Sequence, residues 1–445
     1  MQLMTGLEQA DLTLTFLSGE AADLPAQVTR NLKPGAVRLL SRGAEGDVAV
    51  ALPPTDAAEA RELGEALVKL ATDLGARAVR VEETPHADAL TLAALAAGDR
   101  DARYRAEARP GPAEFAVEGL SGANRARVEA VAAGVRFARE LVNAPANLLN
   151  PVTLAREART LEALGADVDI WDGTEIEARG MGLLAAVAAG SATGPRLIRV
   201  TLPARGEVTR VLALVGKGIT FDTGGYSIKP AAGMTTMKGD MGGAAAVLGT
   251  MRALAAARDL LPEGVEVRAY VPAAENMVGP HAMRPGDIYR AANGKTVEVV
   301  NTDAEGRLIL ADALAVACDE GATELVDVAT LTGAKVTALG NDVAALYSTD
   351  ADLTARLQAS AEASGEFVWE MPLHAPYLKA FQKDTLADLR NSDMVPAGGS
   401  IKAALFLREF VTRPWAHLDI AGNAMKDGQA TGWGVGTLTG YVLGR

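Results

Sequence analysis

At 445 residues with 49% apolar side chains, the chain exceeds what one hydrophobic core usually holds, so two domains are the expectation. A formal net charge of −13 argues against an extended nucleic-acid surface, although a local basic patch would be compatible with it. One cysteine, Cys318, excludes a disulfide framework or a Cys-based zinc site within the chain; with no apolar run of about 18 residues and no basic leader, this predicts a cytoplasmic protein.

In chain order, Asp11–Leu17, Asp47–Leu52, Arg77–Val81 and Glu114–Glu118 read as short strands, and Ala57–Ala71 and Ala87–Ala97 carry helical spacing. These elements form an α/β domain whose boundary is expected near Leu120, after the charged, then Pro/Gly-rich segment Asp99–Pro112. Asn124–Val142 follows as one long helix, with Val128, Val131, Val135, Phe137 and Leu141 on one side, and is expected to join the domains. A turn at Asn143–Asn147 ends it and Val152–Leu164 forms another helix. Then Leu197–Leu202, Val211–Val215, Val267–Val271, Val297–Val300, Leu325–Val328 and His417–Ile420 alternate with helical segments. That alternation predicts a mixed, largely parallel sheet covered on both faces. The Ala runs 244–246 and 255–257 fall in helical patterns, where small residues permit close packing.

Chemistry concentrates in two places. In the stretch Gly216–Asp240, which follows the buried strand Val211–Val215, Lys217, Asp222, Lys229 and Asp240 crowd among Gly216, Gly218, Gly224 and Gly225, expected to turn the backbone sharply. The second place is Asn301–Arg307, between a strand and the helical pattern through Leu310, Leu314 and Cys318. Three Asp, one Glu and two Lys gathered at neighbouring strand ends cannot all stay charged unaided, because like charges and desolvation both oppose ionisation. Divalent cations would relieve this, and a pair about 3.5–4 Å apart can share carboxylates and activate a water.

Competing motifs fail. Phe221 stands where a dinucleotide-binding turn needs its third Gly, no P-loop occurs, and Gly225–Lys229 ends in Lys where a nucleophile elbow needs Gly. His86, His281, His374 and His417 are scattered and are read as structural, and Cys318 as a core filler.

The segment NTDAEGRL at Asn301–Leu308, with VGKGITFD (Val215–Asp222), SIKP (Ser227–Pro230), DMGGAAAV (Asp240–Val247), ENM (Glu275–Met277), ATLTGA (Ala329–Ala334) and WAHLDIAG (Trp415–Gly422), resembles the leucine aminopeptidases, also called cytosol aminopeptidases. The resemblance implies a macro-like N-terminal α/β domain at 1–120, a linking helix at 121–143 and a catalytic mixed α/β domain at 144–445. It further implies hydrolysis of the N-terminal residue of peptides, preferably apolar and Leu- or Met-like, by a water activated by two metals. Lys217, Asp222, Asp240, Asp303 and Glu305 align with the family's metal ligands, and Lys229 and Arg307 with its catalytic pair. Met237, Thr330, Leu331, Gly333 and Ala421 match residues that line the specificity site or hold the substrate backbone. The implied cofactors are two divalent ions per subunit (Mn²⁺ or Zn²⁺, with Mg²⁺ or Co²⁺ as alternatives) and a bicarbonate held by Arg307. The implied partners are peptides with a free N-terminus and five further copies in a homohexamer, with neither membrane nor nucleic acid. Tyr226 in place of the usual Leu, and the run Gln429–Thr437, depart from the family pattern and are expected to bear on the pocket. Two alternatives stay open: a two-metal phosphoesterase, and an additional nucleotide- or DNA-binding role for the first domain.

Overall fold

The computed structural model describes every residue except 5–8, 18–31, 44–45, 100, 108–110, 121 and 445, so part of the charged 99–112 segment lies outside the described residues. The first domain is built on a six-stranded sheet in the order Gln2–Leu3, Glu114–Val117, Ala78–Val81, Leu12–Phe16, Asp47–Ala51, Arg38–Ser41. All neighbours are parallel except the last pair. Alternation places Leu12, Leu14, Val79 and Val81 in one core with Leu63 and Leu67 of the helix Ala57–Leu74. That helix starts where the Asp56 side chain accepts from Glu59 N and stops at Gly75 in the left-handed region.

The helix Gly122–Asn143 belongs to both domains. Its Val128 and Ala132 are buried in the first core, whereas Val131, Val135, Phe137 and Leu141 are buried in the core of the second. It packs lengthwise on the Ala-rich helix Gly242–Ala256, whose outer side is also covered by Val435–Leu443.

The second domain holds a nine-stranded mixed sheet. Its middle is parallel, in the order Trp415–Asp419, Glu324–Ala329, Arg210–Gly216, Val265–Asn276, with Gly218–Asp222 pairing beside the last of these. Val343–Ser348 and Arg196–Leu202 flank this middle in antiparallel orientation. Along each central strand the side chains divide between two cores: Leu212, Leu214, Val326 and Val328 point to one, Ala213, Val215, Leu325 and Ala329 to the other. Continuous apolar runs such as Val211–Val215 follow from that two-sided burial. The four central strands end on one side of the sheet, at Gly216, Asn276, Ala329 and Asp419.

Two expectations need correction. The Val297–Val300 strand is not part of this sheet: Thr296–Glu298 pairs with Ile288–Arg290 and Leu389–Arg390 in a separate three-stranded sheet. Only Val297 of the three is buried, as suits a one-sided strand and not a central one. Gly216 and Gly218 also do not turn the chain, since both lie in strands. A Cβ on Gly216 would meet Gly243 O at 2.7 Å, so its role is to let the helix Gly242–Ala256 approach the sheet. Among the described residues no helix is long and apolar enough to cross a membrane.

Candidate active site

Lys217 sits between the strands Arg210–Gly216 and Gly218–Asp222, its backbone N–H donating to Val328 O at 3.0 Å. Asp222 closes the second strand. Gly224 (φ 84) and Gly225 (φ 61) then reverse the chain in a conformation L-residues resist, and Lys229 N donates back to Thr223 O at 2.9 Å. Asp240 follows the 3-10 turn Met237–Gly239, and Thr330 Oγ1 donates to its Oδ1 at 2.8 Å. Asp303 and Glu305 lie on the loop that opens the helix Gly306–Asp319, and Arg307 lies in its first turn.

These segments converge beyond the strand ends, the place open α/β sheets present to ligands. All twelve residues proposed from the sequence for metal, catalysis and substrate line one cavity of about 990 Å³. Lys217 Nζ lies 2.9 Å from Asp240 Oδ1, 3.0 Å from Glu305 Oε1 and 3.0 Å from Thr330 O. Lys229 Nζ lies 2.7 Å from Asp222 Oδ2 and 2.5 Å from Asp303 Oδ1. Gly306 leaves room for this arrangement: a Cβ there would fall 2.6 Å from Lys217 Nζ and displace that side chain from its partners.

Burial dominates the electrostatics. It pushes Asp240 up to about 8 and Asp222 up to about 6, and raises Asp303. Burial opposes the charge on Lys217 and Lys229 too, but the surrounding carboxylates outweigh it and hold both ammonium groups above their usual range. The same two lysines hold Glu305 low against its own burial. Burial lowers Arg307 to about 10.

Oxygens of Asp222, Asp240 and Glu305 lie within 4.8 Å of one another. Asp240 Oδ2 and Glu305 Oε2 are buried with no hydrogen-bond partner among the described residues, which is costly for a carboxylate. A donor set rich in clustered carboxylate oxygens, two of them without a hydrogen bond, fits divalent cations. Arg307 Nη1 donates to Asn391 O at 2.8 Å while its Nε is buried and unpaired among the described residues, which fits an anion beside it.

Two supporting residues carried no sequence signal of their own. Asn276, quoted only as part of ENM, donates through Nδ2 to Asp222 Oδ1 and Thr302 O. Asn391 accepts from Val300 N and Asn301 N and donates to Asn301 O, so it fixes the loop that carries Asp303 and Glu305. Tyr226 and the Gln429–Thr437 run, by contrast, are not among the residues lining the cavity. Tyr226 is half-exposed and donates to Gly279 O; Gly434 N and Thr437 N donate to the buried Glu366. None of the four histidines lines the cavity either, and His417 is paired with Asp327 inside the protein. Cys318 packs against the core, as expected.

Comparison with known proteins agrees with this geometry. The model of the cytosol aminopeptidase family, catalytic domain, matches residues 136–439. A probable cytosol aminopeptidase of a Synechococcus strain is 48% identical over 358 residues, covering 77% of this chain and 72% of the relative. Another Synechococcus relative with the same name is 42% identical over 448 residues, 93% of this chain and 88% of the relative. Among solved structures, a mutant of tomato leucine aminopeptidase superposes with a TM-score of 0.89 at 34% identity, covering 99% of this chain and 95% of that one. The bottromycin maturation enzyme BotP in complex with Mn gives 0.88 at 35% identity, covering 97% and 99%. With two thirds of its length matched by the family model and the metal-suited cavity at its strand ends, the chain belongs to the cytosol aminopeptidase family and is a metallo-aminopeptidase.

Proposed function

We propose that the cavity binds two divalent cations and bicarbonate and removes apolar N-terminal residues from peptides. Lys217, Asp222, Asp240, Asp303 and Glu305 would hold the metals, five donors being more than one closed tetrahedral site needs. Carboxylate and amine donors suit Mn²⁺ or Zn²⁺, with Mg²⁺ and Co²⁺ also compatible. Bound there, the cations would supply Lewis acidity for a water, the scissile carbonyl and the free N-terminal amine. Lys217 must shed its proton to become a ligand, so metal uptake releases a proton from the ammonium that now pairs with Asp240 and Glu305.

Lys229 stays charged beside Asp222 and Asp303 and can donate to the oxyanion that develops as the amide is attacked. Arg307, with its unpaired Nε, would hold bicarbonate, which supplies a base close to the reacting centre. Met237, Thr330, Leu331, Gly333 and Ala421 present small and apolar surface to a Leu- or Met-like side chain.

The proposed units are 1–120, 121–143 and 144–445, in a cytoplasmic homohexamer. The Ala-rich helix Gly242–Ala256 is covered within the chain, so assembly must use other surfaces; Phe367 and Trp369, 54% and 64% exposed on the outermost strand of the large sheet, are suited to one. Light scattering should read six chains.

The observation that carries the proposal is the pair of buried, unpaired carboxylate oxygens of Asp240 and Glu305. Dialysis against a chelator should abolish cleavage of leucine p-nitroanilide, and Mn²⁺ should restore it with two ions bound per chain. Full activity at one ion per chain would contradict the two-metal reading.

A further inference from the structure

The wall facing the substrate side chain is assembled from two strand ends, and one buried carboxylate fastens them. Asp419, fully buried at the end of Trp415–Asp419, accepts through Oδ1 from Leu331 N (3.1 Å), Thr332 N (3.3 Å) and Ala421 N (3.2 Å). Its Oδ2 accepts from Thr332 Oγ1 (2.6 Å) and Ser400 Oγ (3.3 Å). From the opposite side comes Lys335, 1% exposed, whose ammonium donates to Ala421 O (2.8 Å), Gly340 O (3.0 Å) and Asn423 Oδ1. Ala421 is thereby gripped at its N–H by a carboxylate and at its C=O by an ammonium.

Such a grip is expensive to build into a core. Among the described residues no carboxylate pairs directly with Lys335, and burial pushes its ammonium down to about 8. An apolar side chain of that length would avoid the desolvation cost, so the fold alone does not explain a lysine here. What the lysine adds is direction, because three acceptors around one ammonium fix the Ala421–Asn423 turn against the helix Gly333–Leu339.

We propose that Asp419 and Lys335 are positioning residues that fix the gap between Leu331–Gly333 and Ala421 and so set which N-terminal side chains the enzyme accepts. This rests on the reading of that wall as the side-chain site. Neither residue lines the cavity, so both act through the wall.

The test uses full-length, Mn²⁺-loaded enzyme and alanine, leucine and phenylalanine p-nitroanilides, with metal content and thermal unfolding measured alongside. Lys335→Met should raise KM for leucine p-nitroanilide about tenfold, leave kcat within about threefold, and lower the leucine-to-alanine ratio of kcat/KM about tenfold. Thr332→Val, which removes one hydroxyl from Asp419, should act in the same direction more weakly, and decides alone if Lys335→Met does not fold. Bound Mn²⁺ should be unchanged in both. Equal losses on all three substrates, or an unchanged ratio in folded, loaded variants, would overturn the proposal. Ala421→Leu probes the wall itself: if it leaves the ratio unchanged, the side-chain reading falls and takes the proposal with it. If Ala421→Leu shifts the ratio and the other two variants do not, only the positioning role is overturned.

Discussion

Asn276 Nδ2 donates to Asp222 Oδ1 at 2.8 Å, and the same nitrogen donates to Thr302 O at 2.9 Å. One buried amide therefore links the carboxylate at the end of Gly218–Asp222 to the loop that carries Asp303 and Glu305. Partners of this kind aim a ligand and typically account for about 10–100-fold in metal affinity. Asn276→Ala should weaken Mn²⁺ binding by about that factor in a calorimetric titration, with most of kcat regained at saturating metal. Unchanged affinity would show that Asp222 needs no such support.

The lysines and acids of the site should separate in mutagenesis. Asp303→Ala and Glu305→Ala should lose metal and activity together, because each removes a donor from the cluster. Lys229→Met should keep the metal and lose about 10²–10³-fold in kcat, the usual scale for one oxyanion donor. Elemental analysis with steady-state kinetics reads both, and near wild-type turnover in Lys229→Met would remove its assigned role.

A stability prediction comes from Asp312, fully buried in the helix Gly306–Asp319. It accepts from Leu183 N, Leu184 N and Ala292 N, at 2.9, 2.9 and 2.8 Å. Burial raises its carboxyl to about 7, and the three N–H donors only partly counter this. The folded state thus holds a proton that the unfolded state releases near the ordinary Asp value of about 4, so the contribution is fully present below that value and is lost as pH rises through about 7. Asp312→Asn cannot titrate and gives up one acceptor. In thermal scans at pH 5 and pH 8, the wild type's advantage over Asp312→Asn should shrink at the higher pH; a widening gap would reverse the assignment.

Much of the site was legible because its residues are local in sequence. Lys217, Asp222, Lys229 and Asp240 fall within one stretch, and Asp303, Glu305 and Arg307 within another, each next to an apolar run that had to be a buried strand. The central strands were equally clear from two-sided burial. Harder were the edges: Asp167–Trp171 and Phe367–Glu370 mix charged and apolar residues because one side meets solvent. Val297–Val300 reads as a strand of the main sheet, whereas the observed strand Thr296–Glu298 pairs elsewhere, because a short apolar run carries no record of its partners. Asn276, Asn391 and Asp419 reach partners 26 to 91 positions away through individual side-chain hydrogen bonds, and no spacing rule reports such contacts.

The most direct test of the account is whether the cavity reads the chain terminus. An acylated amine has lost its lone pair to resonance and could not serve as a donor to a metal that, on the proposed function, Asp222, Asp240 and Glu305 would hold. Initial rates should be compared for leucine p-nitroanilide, N-acetyl-leucine p-nitroanilide and p-nitrophenyl phosphate, using one preparation with the same Mn²⁺ and bicarbonate. Only the first should be cleaved, with rates rising through the range where a free α-amine loses its proton, about 7.7–8.0. Comparable cleavage of the N-acetylated substrate would contradict the account.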